Sequence, residues 1–168
     1  MEKGPGLKLG VIADTHGYFA PRIPQALAGV EKIIHAGDLG GREVYAKLSA
    51  IAPVIMVRGN HEPEEIAGSL IDPSIIDLAG KKILLTHRLI TMTWEYFKDA
   101  LSHLEPLNLF PGVELVIFGH SHIPVWDQAR GIWFLNPGYA GPDFREGPPT
   151  VALLEITDSA ISAEIIGI

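Results

Sequence analysis

The sequence has 168 residues, a formal net charge of −7 and no cysteine. This length suits one domain with a substantial core, so we expect residues 1–168 to form a single domain. The negative charge argues against loose, charge-driven binding to nucleic acids or anionic membranes, and the lack of cysteine excludes disulfides, thiolate metal sites and thiol nucleophiles.

The N-terminal part of the chain alternates between short apolar runs and helical patterns. Apolar runs occupy residues 7–13, 32–35 and 53–57, and the intervening segments 21–29 and 42–51 carry apolar residues at helical spacing. An alternation of strand and helix is typical of parallel strands joined by right-handed crossovers. We therefore predict three parallel strands and two helices in this part of the chain.

The rest of the chain contains mostly strand patterns, several of them paired as hairpins. The predicted strands are residues 74–78, 82–86, 114–118, 123–126, 132–135, 151–156 and 160–166. Turn residues at 79–81, 130–131 and 158–159 indicate three hairpins. One more helix is predicted over residues 93–104, because Trp94, Phe97 and Leu101 recur at helical spacing.

Five of these apolar runs end in residues of the types that bind metal ions. The residues that follow the runs are Asp14, Asp38, Asn60, His87 and His120. In open α/β sheets the functional crevice lies at the carboxyl ends of the strands, so these ends converge if the strands share a sheet. Five of the seven histidines then fall in one place, namely His16, His61, His87, His120 and His122.

A mixed set of Asp, Asn and His side chains suits borderline divalent ions such as Mn, Fe, Ni, Co or Zn, with Mg also allowed. The candidate ligands are too many for one ion, whereas two ions about 3.5–4 Å apart that share a carboxylate would use them all. Such a pair leaves a local positive charge that attracts phosphate, and it lowers the pKa of bridging water towards about 7. The pattern therefore predicts a two-metal site with affinity for phosphate.

Five motifs, in chain order, resemble those of the calcineurin-like metallophosphoesterases. They are Asp14-x-His16, Gly37-Asp38, Gly59-Asn60-His61-Glu62, Thr86-His87 and Gly119-His120-x-His122. The short length, Asn136-Pro137-Gly138 and residues 149–155 are similar to the small phosphodiesterase subfamily that includes the retromer scaffold subunit. The resemblance covers nearly the whole chain. It implies an α/β fold (α+β in some schemes), a four-layer αββα sandwich of two mixed β-sheets flanked by helices.

The resemblance also implies a role for each matching residue. One metal ion would bind Asp14, His16, Asp38 and His122, and the other would bind Asp38, Asn60, His87 and His120. Asp38 would bridge the two ions, with manganese the favoured metal, and a bridging hydroxide would attack phosphorus. His61 would donate a proton to the leaving oxygen or stabilise its charge, and Glu62 would at most support the ligands from behind.

The chain departs from the family pattern after its fourth motif. Many relatives read Thr-His-Gly-His where this chain has Thr86-His87-Arg88-Leu89. The ligand position is kept, but an arginine replaces the glycine and the second histidine is absent. We expect this difference to affect the shape of the pocket and the choice of substrate. Arg88 is either a contact for substrate phosphate or an exposed surface cation.

Two classes of function follow from this reading. The first is a metal-dependent phosphohydrolase, for which the resemblance favours phosphodiesters over phosphomonoesters. The second is a metal-binding scaffold or protein-interaction module of the retromer-subunit type. That subunit departs from the Gly-Asn-His motif, whereas this chain keeps Asn60 and His61. The complete ligand set therefore favours the enzyme.

The distribution of apolar residues also gives expectations about partners and cellular location. No apolar stretch reaches the roughly 18 residues that span a bilayer, and residues 1–6 lack the apolar region of a secretory signal. We therefore expect a cytoplasmic protein that acts on a small phosphate ester and forms no membrane contact and no stable nucleic-acid complex. The apolar fraction of 47% indicates a well-buried sheet first and a homodimer interface second.

Overall fold

The computed structural model describes residues 6–89, 93–103, 111–142 and 147–168. The strands in these ranges are β1 Leu7–Ile12, β2 Lys32–His35, β3 Val54–Met56, β4 Ser74–Leu78, β5 Lys81–Leu85, β6 Leu115–Ile117, β7 Val125–Ala129, β8 Ile132–Asn136, β9 Thr150–Ile156 and β10 Ile161–Gly167. The helices are α1 Ile23–Ala26, α2 Arg42–Ser49, α3 Glu64–Ala67 and α4 Trp94–His103. None of these helices is long and apolar enough to cross a bilayer.

The strands form two mixed sheets of five strands each. The first sheet has the order β10-β9-β1-β2-β3, and the second has the order β4-β5-β6-β8-β7. Within the first sheet β1, β2 and β3 are parallel, while β9 runs antiparallel to β1. Within the second sheet β5, β6 and β8 are parallel and the edge strands are antiparallel. The predicted pair of mixed sheets is confirmed.

Three apolar layers hold the sheets and helices together. The middle layer packs the inner faces of the two sheets against each other, with Val11 and Ile34 on one side and Ile117 on the other. A second layer covers the outer face of the first sheet with α1 and α2, and a third covers the second sheet with α4. The central parallel strands are buried on both faces, which explains their continuous apolar runs. These layers confirm the αββα sandwich.

The condition under which the strand ends were expected to converge, a shared sheet, is not met. The five strands that end in ligand-type residues do not share a sheet, because β1, β2 and β3 belong to the first sheet and β5 and β6 to the second. The strand ends nevertheless meet, because the two sheets pack face to face with these ends on the same side. The backbone N–H of His120, after β6, donates to the Asp14 carboxylate, after β1, at 3.0 Å.

The helices differ more from prediction than the strands do. The helix predicted over 21–29 is only α1, four residues long, before turns lead to Gly29 at φ +80°. Helix α3 was not predicted, because four residues with no buried side chain leave no periodic pattern. The predicted end of α4 at Leu104 lies outside the described residues. The strand predicted from 82 begins at Lys81, because Ala79 and Gly80 alone form the turn, both at positive φ.

Candidate metal centre

The candidate site is built from the loops that follow β1, β2, β3, β5 and β6. Backbone hydrogen bonds tie these loops together. The N–H groups of Asp14 and His16 donate to the carbonyls of Gly37 and Asp38, both at 3.0 Å. In the second sheet the Gly119 N–H donates to the His87 carbonyl at 3.1 Å. The backbone therefore sets the spacing of the loops before any side chain binds a ligand.

Left-handed backbone conformations are concentrated in these loops. Seven of the described non-glycine residues have positive φ, and two of them lie in hairpin turns. The other five are all predicted metal ligands: Asp14, His16, Asp38, His120 and His122. Such a conformation costs a non-glycine residue roughly 1–2 kcal/mol, and strain of this kind persists where function requires it.

The first group of side chains centres on Asp14, which is fully buried. His122 Nε2 lies 3.4 Å from Asp14 Oδ1. Asp14, His16 and His122 each offer one ligand atom, and these atoms lie within 4.8 Å of one another. The three residues are members of the first predicted ligand set.

The second group centres on Asp38, with Asp14 and His87. His87 Nε2 lies 3.4 Å from Asp38 Oδ1, and the three ligand atoms lie within 4.8 Å of one another. The His87 ring is 5.2 Å from the ring of His120. The other carboxylate oxygen of Asp38 is 3.8 Å from His16 Nε2. Asp38 therefore lies between the two groups, with one oxygen facing each.

The loop after β3 brings Asn60 and His61 to the same place. Their backbone N–H groups both donate to Asp38 Oδ1, that of His61 at 2.8 Å. Both residues are exposed. The His61 ring is 5.4 Å from the ring of His16, and His61, His16 and Asp38 form a third group with ligand atoms within 4.8 Å. The geometry therefore allows His61 to act either at the mouth of the site or as a ligand.

The chemistry of the buried atoms shows whether these residues fit divalent ions. Among the described residues, three buried side-chain atoms have no hydrogen-bond partner: Asp14 Oδ1, His16 Nε2 and His87 Nε2. Each such atom costs about 1–3 kcal/mol, and cations bound among them would satisfy all three. The His87 Nδ1–H donates to the Ala36 carbonyl at 2.8 Å, which directs the lone pair of Nε2 into the site. The residues fit the predicted metal ions.

Comparison with known families agrees with this geometry. The family described as "Calcineurin-like phosphoesterase superfamily domain" matches residues 7–159. The chain belongs to this superfamily. Its members are metal-dependent, which is consistent with the clustered carboxylates and imidazoles.

Relatives and solved structures extend the comparison. A probable metallophosphoesterase from Methanothermobacter thermautotrophicus is 32% identical over 166 residues, covering 94% of this chain and 91% of the relative. A phosphodiesterase from Methanocaldococcus jannaschii is 25% identical over 166 residues, covering 89% and 93%. The structure of Vacuolar Protein Sorting 29 from Cryptosporidium parvum has a TM-score of 0.70 at 18% identity, covering 98% and 99% of the two chains. That of an archaeal phosphodiesterase has a TM-score of 0.67 at 22% identity, covering 95% and 99%. At these identities the structures show the fold alone.

Electrostatics in this calcineurin-like site keep the central carboxylate ionised. Burial by itself would raise the pKa of Asp38. The nearby His87 imidazole and the hydrogen bonds from the backbone N–H groups of His61 and Asn60 outweigh burial and lower that pKa well below its usual range. Asp38 is therefore a full negative charge at any physiological pH.

The imidazoles of the site differ in their affinity for protons. Burial lowers the pKa of His16, and burial together with the charges of His87 and Arg88 lowers that of His120. Burial opposes protonation of His87 too, but the nearby Asp38 carboxylate, 3.4 Å from Nε2, outweighs it and raises the pKa of His87. A metal ion at His87 would therefore displace a proton, because only the neutral imidazole is a ligand.

His35, in strand β2, supports the site from behind. The Thr15 hydroxyl donates to the Leu39 carbonyl at 2.9 Å, so it accepts the Nε2–H of His35 at 3.0 Å. The other ring nitrogen accepts the Gly37 N–H at 3.2 Å. His35 therefore ties the loop after β1 to the loop after β2. Its position inside a strand pattern favours core packing or a supporting contact over chemistry, but the sequence does not identify these partners.

Tyr139 and Asn136 support the loop of His120 and His122. The Tyr139 ring is buried and packs on His122 with centroids 4.5 Å apart. A Cβ on Gly141 would lie 2.4 Å from the Tyr139 hydroxyl, so this packing requires glycine there. The Asn136 amide donates to the Gly119 carbonyl at 3.1 Å. The motif Asn136-Pro137-Gly138 is thus part of the site as well as a turn.

Buried His35 should make stability depend on pH. Burial, with the nearby charge of His87, lowers its pKa from 6.5 to about 3. Between these values the unfolded chain binds the additional proton, so the free energy of unfolding should fall as the pH is lowered, by at most about 1.4 kcal/mol per pH unit. Urea unfolding of metal-stripped protein between pH 4 and 7 measures this slope. His35→Gln, although less stable at pH 7, should show a smaller slope, and an unchanged slope would contradict the assignment.

Proposed function

We propose that the protein is a metal-dependent phosphodiesterase for a small phosphate ester, with a pair of divalent ions held at the strand ends. The ligands would be Asp14, His16, Asp38, Asn60, His87, His120 and His122. The observation that carries the proposal is the position of Asp38, which has one oxygen facing His16 and the other facing His87. The unpaired buried atoms on both sides of it support two ions rather than one.

The roles of the residues follow from their environments. When bound, the ions lower the pKa of water and neutralise charge on the phosphate. Asp38 contributes a permanently ionised carboxylate, whereas His16 and His120 contribute neutral imidazoles. His61 is exposed beside His16, and there it donates a proton to the leaving oxygen. The mixed nitrogen and oxygen donors suit manganese first, with Ni, Fe, Co, Zn or Mg as the other candidates.

The preference for diesters is supported by the phosphodiesterase from Methanocaldococcus jannaschii, which is 25% identical over most of both chains. The test is a panel of phosphate esters offered to metal-stripped protein with each divalent ion in turn. We expect bis-p-nitrophenyl phosphate to be cleaved faster than p-nitrophenyl phosphate, with Mn²⁺ most effective. Faster cleavage of the monoester would reverse the substrate class while leaving the metal centre intact.

A scaffold function is the second candidate, favoured by one observation. The structural match with Vacuolar Protein Sorting 29 from Cryptosporidium parvum covers 98% of this chain and 99% of that chain, with a TM-score of 0.70. Capture of a defined protein partner together with no turnover of any ester, across all the metals, would replace the enzyme by the scaffold.

Arg88 offers a prediction about substrate binding. It is exposed, directly follows the proposed ligand His87, and its charge lowers the pKa of His120. Arg88→Gln should raise KM for bis-p-nitrophenyl phosphate about threefold to tenfold and change kcat little, because a contact with the bound phosphate is lost. Steady-state kinetics with Arg22→Gln, another exposed arginine, provide the control. Equal KM values in both variants would identify Arg88 as a surface cation.

A further inference from the structure

We propose that Glu62 is a positioning residue for the metal centre. Its carboxylate holds the backbone of Asp38 in the conformation that presents both carboxylate oxygens to the site. The affinity of the centre for metal ions therefore depends on Glu62, although Glu62 itself binds none. This inference rests on the proposed role of Asp38 between the two ions.

The contacts of Glu62 carry the argument. Oε1 accepts the backbone N–H of Asp38 at 2.8 Å and that of Gly59 at 2.7 Å. Oε2 accepts the N–H of Leu39 at 3.0 Å. Both oxygens are thus used by backbone donors, and Glu62 belongs to none of the three ligand groups found in the described part of the chain. Its role is to hold other residues.

Asp38 makes the reciprocal contacts. Its Oδ1 accepts the N–H groups of Asn60 and His61, and the Gly40 N–H donates to the His61 carbonyl at 2.8 Å. Asp38, in the loop after β2, thus accepts backbone N–H groups of the loop after β3. Glu62, in the loop after β3, accepts backbone N–H groups of the loop after β2. The loops touch closely, since a Cβ on Gly59 would lie 2.1 Å from the Asp38 nitrogen. A change at Glu62 is therefore transmitted directly to Asp38.

The backbone of Asp38 needs such support. Its φ of +57° is left-handed, which is unfavourable for a non-glycine residue by roughly 1–2 kcal/mol. Charge-assisted hydrogen bonds to its own N–H and to that of Leu39 offset this cost. An amide in place of the Glu62 carboxylate keeps one acceptor oxygen, but its NH2 group would face a backbone N–H donor at the other position. Glutamine therefore has nearly the shape of glutamate but lacks its charge and its second acceptor oxygen.

The experiment measures metal binding without turnover. Metal-stripped wild type, Glu62→Gln and Glu65→Gln are titrated with Mn²⁺ by calorimetry, and their thermal unfolding is recorded in the absence of metal. Glu65 is exposed on α3 and serves as the matched control. Glu62→Gln should bind at least one Mn²⁺ about 10–100-fold more weakly than wild type, the range observed when a residue that supports a ligand is lost. Glu65→Gln should bind like wild type.

A folded Glu62→Gln protein with Mn²⁺ affinity within threefold of wild type overturns the proposal. If Glu62→Gln does not fold, Glu62→Asp decides, because it keeps the charge but shortens the reach. Weaker Mn²⁺ binding by folded Glu62→Asp supports the proposal, and wild-type affinity overturns it. If the Glu62 proposal fails, ester hydrolysis by wild type is still observed. If the proposed hydrolase function fails, the effect of Glu62→Gln on Mn²⁺ binding is still observed. The two failures are therefore distinguishable.

Discussion

Asp38→Ala is expected to abolish phosphodiester hydrolysis, lowering kcat/KM by more than about 10³-fold. The reason is geometric. One Asp38 oxygen faces His16 at 3.8 Å and the other faces His87 at 3.4 Å, so a single truncation removes a ligand from both proposed ions. The truncation also leaves the N–H groups of Asn60 and His61 without their acceptor. We therefore expect the bound Mn²⁺, measured by elemental analysis, to fall from two ions per chain to one or none.

Two matched variants separate chemistry from folding. Asp38→Asn keeps an oxygen that can accept the backbone N–H groups but removes the charge, so it should fold normally and still lose most activity. Asp77→Ala removes an exposed carboxylate on β4 and should behave like wild type. Near-normal turnover by either Asp38 variant would exclude the two-metal proposal.

His61→Ala is expected to slow hydrolysis by about 10²–10⁴-fold while the protein keeps its metal. His61 is exposed beside His16, where its imidazole can reach a leaving oxygen from the solvent side. A proton donor matters most when the leaving group is a strong base. The rate loss should therefore grow along a series of diesters with increasing leaving-group pKa, and it should be smallest for p-nitrophenyl esters.

Measuring the metal content distinguishes an acid from a ligand at His61. This matters because the ligand atoms of His61, His16 and Asp38 lie within 4.8 Å of one another. Loss of one metal equivalent in His61→Ala would make His61 a ligand instead of an acid. A rate loss that is the same for every leaving group, with metal retained, would point to binding or orientation of the substrate. His103→Ala provides the control, since this histidine is exposed on α4 and belongs to none of the three ligand groups.

Prediction of the fold from sequence succeeded where burial leaves a pattern. Strand β2 occupies the predicted residues 32–35, and the other strands lie within two or three residues of their predicted bounds, because their side chains alternate or run apolar against a buried face. The short α3 left no such pattern, since none of its residues is buried. The family resemblance implied two sheets, but it did not assign strands to them, and residue spacing does not tell which strands pair.

In the candidate site, too, the sequence predicted some features and missed others. The ligand-type residues were visible because they follow apolar runs. The structure places Asp14, His16, Asp38, His87 and His122 in groups whose potential ligand atoms lie within 4.8 Å of one another. The contacts of the supporting residues were not visible, although the resemblance implied that Glu62 would at most support the ligands. Tyr139 resembles any aromatic core residue until its ring is seen on His122, and the acceptor role of Glu62 appears only with its three backbone donors.

The sequence by itself determined which segments form strands and which side chains of metal-binding type follow them. Only the tertiary structure decided that β5 and β6 lie in a different sheet from β1, β2 and β3, so that both sheets supply candidate ligands, and that Asp38 stands between two groups of imidazoles. The physical reason is that strand patterns depend on neighbours within a few residues. The site depends on contacts such as His120 N–H to Asp14, which join loops far apart in the chain and form only when the apolar faces of both sheets are buried together.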